Sequence, residues 1–380
     1  MRVALVYPFY ERPGGIERYL REVAGVLKSS CGLVLVSTEE TVDGDVFDSA
    51  VRVRAPRRPY GFLSFFFALA ARRRLRRLPV DIVHVQGASA FRQDIVHAHS
   101  CHKAWFRTSL RELPWRSRRK WLKLLNPLHH LTIAIESVQY RPANHRRIVA
   151  ISQTVARDLV RWYGVIPERI EVIYNGVNCE LFTPQNRDAL RDDARRELGV
   201  PPNRVCALFV ANEFGRKGLT TAIEALAALD SRDVDLVVVG RDDRAPYARL
   251  ARDLRIDDHV TFAGGQSDLR PYYAAADVFV LPTRHDAFGL VITEAMASGL
   301  PVIVTSEAGA AELITHGEDG YVLDDPRSVG EFAACLEQLL DSPRREEMGR
   351  RARATAEKHS WSACCRQLLD LYRVLAPEAS

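Results

Sequence analysis

The sequence predicts an α/β protein built as two consecutive doubly wound domains. Three features carry that expectation. Short apolar, β-rich runs alternate with helical stretches, which favours a parallel sheet covered by helices. The alternation restarts near residue 204, and 380 residues suffice for two domains with cores of their own. Runs such as Leu236-Val237-Val238-Val239 are apolar throughout, as a sheet buried on both faces requires.

The first unit reads as a strand over Arg2–Tyr7, a turn over Pro8–Gly15 and a helix over Ile16–Lys28, whose apolar positions Tyr19, Leu20, Val23, Val26 and Leu27 fall at helical spacing. Further strands are expected at Leu33–Ser37, Ile82–Val85 and Ile95–His99. In the second series the strands are Arg204–Val210, Asp235–Val239, Val260–Phe262, Val278–Leu281, Pro301–Val304 and Gly320–Val322. Helices between them cover Leu219–Leu229, Tyr247–Leu254, Leu269–Ala275, Leu290–Ser298 and Glu312–Ile314. The Asn-, Gly- and Pro-containing stretch Asn175–Pro184 reads as the linker. The amphipathic stretch Trp361–Leu375 has no strand left to cover, so it is expected to return to the first domain. The expected division is therefore 1–178, 179–360 and a returning helix over 361–380.

Composition narrows the class. With 47% hydrophobic and 27% charged residues the chain has the ordinary globular mixture. Seven cysteines without CxxC spacing argue against a disulfide framework or structural zinc. The run Val3–Val6 is too short for a signal-peptide core and no 20-residue apolar span exists, so a cytoplasmic location is expected. The net charge of +5 hides an asymmetry: residues 1–147 carry +14 and the remainder −9. The first domain should therefore lie against something anionic.

Candidate site residues sit where strands give way to helices. Gly14-Gly15 follows the first strand, where glycine permits close approach of a ligand, although a tight turn needing positive φ explains it equally well. After the first strand of the second domain, Arg216 and Lys217 are pinned between Gly215 and Gly218, well placed to grip a diphosphate. Another strand-turn-helix spans Thr283–Pro301. Its amides near Phe288, Gly289, Leu290 and Val291 offer an anion seat, Asp286 can reach sugar hydroxyls, and Glu294, inside an apolar helix, must find donors such as ribose hydroxyls. His97 and His99 share a face of their strand. No further ligand follows at metal-site spacing, and the cleft segments lack an Asp-x-Asp motif, so neither a metal nor a cofactor is expected.

These residues, with Val172-Ile173-Tyr174-Asn175-Gly176-Val177, resemble the retaining GT-B glycosyltransferases of family 4 over nearly the whole chain. The run Phe214–Gly218 and the stretch from Val238-Val239-Gly240 to Tyr272-Tyr273-Ala274-Ala275-Ala276-Asp277 are most similar to the lipopolysaccharide core glucosyltransferases that add the first glucose to heptose. The resemblance implies two Rossmann-like domains facing a cleft and a nucleotide-sugar donor, a UDP-sugar with glucose foremost. By the same resemblance Arg216 and Lys217 bind the diphosphate, Glu294 the ribose, Asp286 and the following amides the sugar and phosphate, with Gly15 approaching from the first domain and His99 bonding the donor sugar. Asp286 stands where the family usually has Glu, which leaves the donor sugar open. The family's mechanism is front-face transfer in which the leaving phosphate takes the acceptor proton. An inverting GT-B enzyme and a non-hydrolysing nucleotide-sugar epimerase share this frame.

The basic stretches admit two partners. Seven Arg and no acid lie between Arg57 and Arg77, and eleven Lys/Arg face two Glu between Lys103 and Arg147. RNA-binding signatures are absent, so nucleic acid is not the expected partner. The interleaved Phe65, Phe66, Phe67, Trp105, Phe106, Trp115 and Trp121, with Arg72, Arg73 and Arg74, instead suit a peripheral seat on an anionic membrane carrying a glycolipid acceptor.

Overall fold

The computed structural model describes residues 1–10, 14–39, 46–56, 62–111, 115–231 and 233–376. The chain divides into two compact units, Met1–Asn175 with Trp361–Ser380, and Gly176–Ser360. Part of the turn expected at Pro8–Gly15, and Arg57 and Arg58 of the first basic run, lie outside the described residues.

In the first unit the order is β1 (Arg2–Val6), α1 (Gly15–Leu27), β2 (Gly32–Ser37), β3 (Ser49–Arg52), α2 (Leu63–Leu75), β4 (Ile82–Gln86) and β5 (Ile95–Ala98). Helices α3 (His102–Arg111), α4 (Arg118–Leu125) and α5 (Pro127–Gln139) follow, then β6 (Arg147–Ala150), α6 (Gln153–Tyr163) and β7 (Ile170–Val172). The sheet runs β3-β2-β1-β4-β5-β6-β7 with every pairing parallel. The chain order reverses between β1 and β4, the switch point of a doubly wound sheet.

The second unit repeats the scheme: α7 (Gln185–Leu198), β8 (Val205–Val210), α8 (Phe214–Lys217), α9 (Leu219–Ala227), β9 (Val234–Val239), α10 (Ala245–Asp253), β10 (Val260–Gly264), α11 (Arg270–Ala275) and β11 (Val278–Leu281). Then come α12 (Leu290–Ala297), β12 (Val302–Thr305), β13 (Gly320–Leu323), α13 (Val329–Gln338) and α14 (Ser342–Lys358). Its parallel sheet is ordered β10-β9-β8-β11-β12-β13, with the switch point between β8 and β11. All six residues of β9 are buried, as helices on both faces demand.

The structure departs from the sequence reading at definite places. Strands β3, β6 and β7 were not expected, because three or four residues interrupted by Arg52, Arg147 or Glu171 show no period. A 3₁₀ turn over Gly309–Leu313 replaces the helix expected at Glu312–Ile314. The stretch Asn175–Pro184 is not a loose linker: Val177 and Phe182 are buried, and Val177 pairs with Ser360. The last helix, α15 (Trp361–Leu375), packs on α1 within the first unit through Trp361, Cys364, Cys365, Leu368, Leu371, Tyr372 and Leu375.

That packing closes the first unit around buried histidines. His84 Nδ1 lies 2.6 Å from the hydroxyl of Tyr372, and His97 Nδ1 lies 3.2 Å from that of Tyr19. The rings of His84 and His97 are 5.3 Å apart, and those of His97 and His99 4.5 Å. Burial lowers His84 and His99 to about 3, and His97 well below its ordinary value, so all three are neutral. Their unfolded counterparts take up protons below about pH 6.5, so each histidine removes up to ~1.4 kcal/mol of stability per pH unit as the medium acidifies below that point. Glu136, pushed up to about 7 by burial, titrates in the opposite sense and offsets part of the effect. Urea unfolding of the first unit is expected at lower denaturant at pH 5.5 than at pH 7.5. The ring signals of the three histidines should stay fixed over that range in NMR spectra.

Charge is buried differently in the second unit. Asp277 accepts from Arg187 at 3.2 Å, from Arg191 at 2.6 Å, from Arg195 and from the Cys206 amide at 2.9 Å, tying α7 to β8 and β11. Burial opposes its charge, but Arg191, Arg195 and the amide outweigh burial and hold the carboxyl below the usual range. Its stabilisation is present above the unfolded carboxyl pKa and is lost as pH falls through the lower folded value. Asp277→Asn strands three guanidinium groups and should cost about 3–5 kcal/mol, read as a shift of the second unit's denaturant midpoint at neutral pH.

Candidate functional site

The second unit's site forms from the loops that leave β8 and β11 at the switch point, outside the carboxyl ends of the strands. After β8 the chain makes the single turn α8, with Phe214 buried and its amide donating to Asp242 Oδ2 at 2.8 Å. Arg216 and Lys217 occupy the last turn of that helix, where cations suit the dipole. Gly218 closes it at φ +83°, and a Cβ there would meet the Pro282 carbonyl oxygen at 1.9 Å. The Arg/Lys turn is thus pressed against the backbone that follows β11.

Polar contacts lock the two loops. The Arg216 carbonyl accepts from the Arg284 amide at 2.9 Å, and its guanidinium donates to the His285 carbonyl and to the Glu213 carboxylate. Lys217 Nζ donates to Asp286 Oδ2. Burial would raise the Asp286 pKa, but Lys217 and Arg216 prevail and hold the carboxyl below its ordinary value. His285 is lowered by burial and then by Arg216, and so favours its neutral form. The Asp286 backbone is fixed as well. Its amide donates to the Glu307 carbonyl at 2.9 Å, and its carbonyl accepts from Gly309 at 3.0 Å.

Phe288 is buried, and its carbonyl accepts from the Ala310 amide at 2.7 Å. Gly289 takes φ +90° and leads into Leu290, the first residue of α12, whose amino end carries no side-chain cap. That end presents backbone N–H groups and the positive pole of the helix beside Lys217 and Asp286. Glu294, one turn into α12, is 1% exposed. Its Oε2 accepts from the Tyr273 hydroxyl at 2.9 Å. The structure therefore gathers Arg216, Lys217, Asp286, Phe288, Gly289 and Leu290 around one switch point, with Glu294 in the helix behind them.

The remaining candidates lie in the first unit, at the carboxyl edge of its own sheet. His99 directly follows β5, its Nε2 2.9 Å from Gln86 Oε1 and its ring 4.9 Å from Tyr19. Gly14 and Gly15 begin the same helix α1 that carries Tyr19. Gly14 is extended at φ −169° and neither glycine has positive φ, so the tight-turn explanation of the pair fails. A Cβ at Gly15 would meet nothing within 4 Å. Among the described residues no group of His, Cys, Asp and Glu side chains has metal-holding geometry, and His97 is engaged by Tyr19.

Several partners were not legible beforehand. Glu213 precedes Arg216 by three positions, the spacing at which helical side chains meet, and that signal could have identified it. Tyr273, His285 and Gln86 gave no comparable signal.

Two family descriptions match the chain: Glycosyltransferase Family 4 over residues 13–181 and Glycosyl transferases group 1 over residues 190–355. A D-inositol 3-phosphate glycosyltransferase of Corynebacterium aurimucosum is 30% identical over 73% of this chain and 71% of its own length. The protein of the same name from Thermomonospora curvata is 32% identical over the same shares. Among solved structures, WaaG, a glycosyltransferase involved in lipopolysaccharide biosynthesis, superposes with a TM-score of 0.78 over 97% of this chain and 99% of its own, at 23% identity. Anabaena HepE in complex with UDP-glucose gives 0.74 at 20% identity, covering 98% of this chain and all of its own. At those identities the structural likeness concerns the fold, and the fold is GT-B with two Rossmann-like domains. The sequence relatives carry the assignment further: the chain belongs to the group 1, family 4 glycosyltransferases and is an enzyme of that class.

Proposed function

We propose that the chain transfers a hexose, with retention, from a nucleoside-diphosphate sugar to a cell-envelope glycan or glycolipid, the donor being a UDP-sugar and UDP-glucose first among them. The observation that carries this reading is the convergence of Arg216 and Lys217 with Asp286 and the uncapped amino end of α12. Two fixed cations and a helix dipole are suited to charge that develops on a departing diphosphate. The lock on His285 and Asp286 holds both cations before substrate arrives, so little reorganisation is needed in the reaction. Burial lowers the Lys217 pKa and Asp286 opposes that, orients the ammonium group and offers its carboxylate to sugar hydroxyls, while Glu294, steadied by Tyr273, serves the nucleotide ribose. In this mechanism the bond from the anomeric carbon to phosphate breaks as the bond to the acceptor oxygen forms on the same face. The acceptor proton passes to the leaving phosphate.

HepE, whose complex holds UDP-glucose, supports a UDP-sugar donor. The acceptor has two supports that differ: WaaG is named for lipopolysaccharide, the curated relatives for D-inositol 3-phosphate. Incubating the enzyme with a panel of nucleotide sugars, then with D-inositol 3-phosphate or a heptose-bearing lipid core, separates these acceptors. Free epimerised sugar as the sole product would favour the epimerase instead. Arg216→Ala and Lys217→Ala should each lower turnover by about 10²–10³-fold. Near-normal rates in both would reject the site. Glu294→Gln should weaken UDP binding in calorimetry while leaving the melting temperature close to that of the parent.

A peripheral membrane seat belongs to the same proposal, and here the surface changes the residues. Phe67 and Phe106 are core residues and Phe65, Phe66 and Trp105 are half-buried, so they do not form the aromatic surface read from the sequence. Of the expected aromatics Trp115, at 70%, and Trp121 are exposed, and Leu122 and Leu125, at 73%, join them on and beside α4, which buries no residue at all. Arg116, Arg118 and Arg119 border them, the pattern of a helix lying in an anionic interface. None of the described helices is long and apolar enough to cross a membrane. Sedimentation with anionic vesicles should fall on adding salt and in Trp121→Ser/Leu125→Ser. Equal binding to neutral vesicles would reject the seat.

A further inference from the structure

A cavity of the first unit opens at the edge of the sheet opposite to His99. It encloses about 590 Å³ at the amino edge of the sheet, lined by residues that precede β5, β6 and β7. Because every strand is parallel, His99 and the amino end of α1 occupy the opposite edge, about 16 Å away along β5 at ~3.3 Å per residue. Six arginines line the cavity: Arg72, Arg76, Arg92, Arg146, Arg147 and Arg169. Asp94 is the one acid among the described lining residues, and it is committed. Its Oδ2 accepts from the Val83 amide at 2.9 Å, and its Oδ1 lies 3.8 Å from Arg146.

Some of the arginines donate to backbone carbonyls as well. Arg146 donates to the Leu375 carbonyl at 2.6 Å, and Arg169 to the Pro142 carbonyl at 2.6 Å. So many guanidinium groups around one hollow repel one another unless an anion joins them. A second observation concerns Gln93, which lines the cavity at 7% exposure with neither its amide nitrogen nor its oxygen hydrogen-bonded. His145 Nε2, in the same wall, is also buried without a partner. Buried polar atoms in a folded chain are nearly always paired, so this wall is short of a group that both donates and accepts. A hydroxyl does both. Phe91 adds a ring edge against which a carbon frame can rest.

We propose that this cavity is a second ligand site of the enzyme, specific for a hydroxylated molecule bearing two or more phosphate groups. The arginines take the phosphates, by the bidentate geometry that suits guanidinium to oxyanions, and the amide of Gln93 and the Nε2 of His145, buried beneath the lining, take hydroxyls when the side chains turn toward the ligand. Such a ligand is either a soluble sugar or polyol polyphosphate, or the headgroup of an anionic lipid. It shares no lining residue with the donor-site candidates, and its test does not depend on the transfer reaction.

The full chain is titrated calorimetrically with fructose 1,6-bisphosphate, phytate and pyrophosphate, and sedimented with vesicles containing cardiolipin, whose headgroup carries two phosphates and a glycerol hydroxyl. Arg76 and Arg92 are exposed, so Arg76→Ala/Arg92→Ala should fold normally, and Gln93→Leu keeps the side-chain size. One equivalent of a soluble sugar or polyol phosphate should bind, at least tenfold more weakly in both variants, with UDP affinity unchanged. Gln93→Leu should leave pyrophosphate affinity within about twofold. If the soluble probes do not bind but both variants lose vesicle binding tenfold, the ligand is the lipid headgroup. Absence of binding in both arms, displacement of the probe by UDP, or a loss that follows the arginines and ignores Gln93 would overturn the proposal, the last because it marks diffuse electrostatic attraction.

Discussion

In a sheet whose strands all run the same way, every carboxyl end emerges at one edge and every amino end at the other. Both sheets of this protein obey that constraint, and most of what the chain can do follows from it. Helices must cover both faces, so the strands are largely apolar, and the few polar side chains that project from them, such as His84, His97 and Asp235, are buried against partners. Chemistry is pushed to the edges, and at the carboxyl edge the reversal of strand order parts neighbouring loops. In the second unit the loops after β8 and β11 are those neighbours, and the Lys217–Asp286 pair closes the gap between them. The close approach of Gly218 to the Pro282 carbonyl makes that pairing a matter of backbone fit as well as charge.

The two units treat buried polar groups in opposite ways. In the second, Asp277 and Asp286 keep their charge because guanidinium or ammonium groups stand within hydrogen-bonding distance. In the first, burial takes the charge from His84, His97 and His99, and the tyrosines, glutamine and imidazoles they face do not restore it. A paired charge in a low dielectric is strongly oriented, which fixes the elements that carry it. Neutral imidazoles add hydrogen bonds without a field, which suits a core closed by the returning helix α15.

The excess positive charge of residues 1–147 is not spread evenly. One part borders the exposed apolar face of α4, another lines the hollow at the amino edge of the sheet. The first mixes charge with exposed tryptophan and leucine, a surface for an interface. The second joins charge to buried, unpaired amide and imidazole groups, an interior for a defined molecule. Composition alone cannot separate these, since both contribute arginines to the same count.

The sequence by itself determined the class of fold, because alternating apolar strands and amphipathic helices leave few other arrangements, and it marked the glycine-bounded Arg216-Lys217 turn and the Asp286-to-Glu294 segment, because local residue types announce a strand-turn-helix. Short strands such as Arg147–Ala150 escaped it, since a few residues show no period, and so did the burial of Phe67 and Phe106, since an aromatic among arginines reads alike whether it faces core or solvent. Only the tertiary structure decided that Lys217 meets Asp286, that Tyr273 meets Glu294, that Tyr372 reaches His84 across 288 positions, and that arginines from α2 and three separate loops surround one cavity. Each of these contacts joins residues far apart in the chain. A local pattern carries the propensity of each partner but not their meeting, which is fixed by strand order and helix packing.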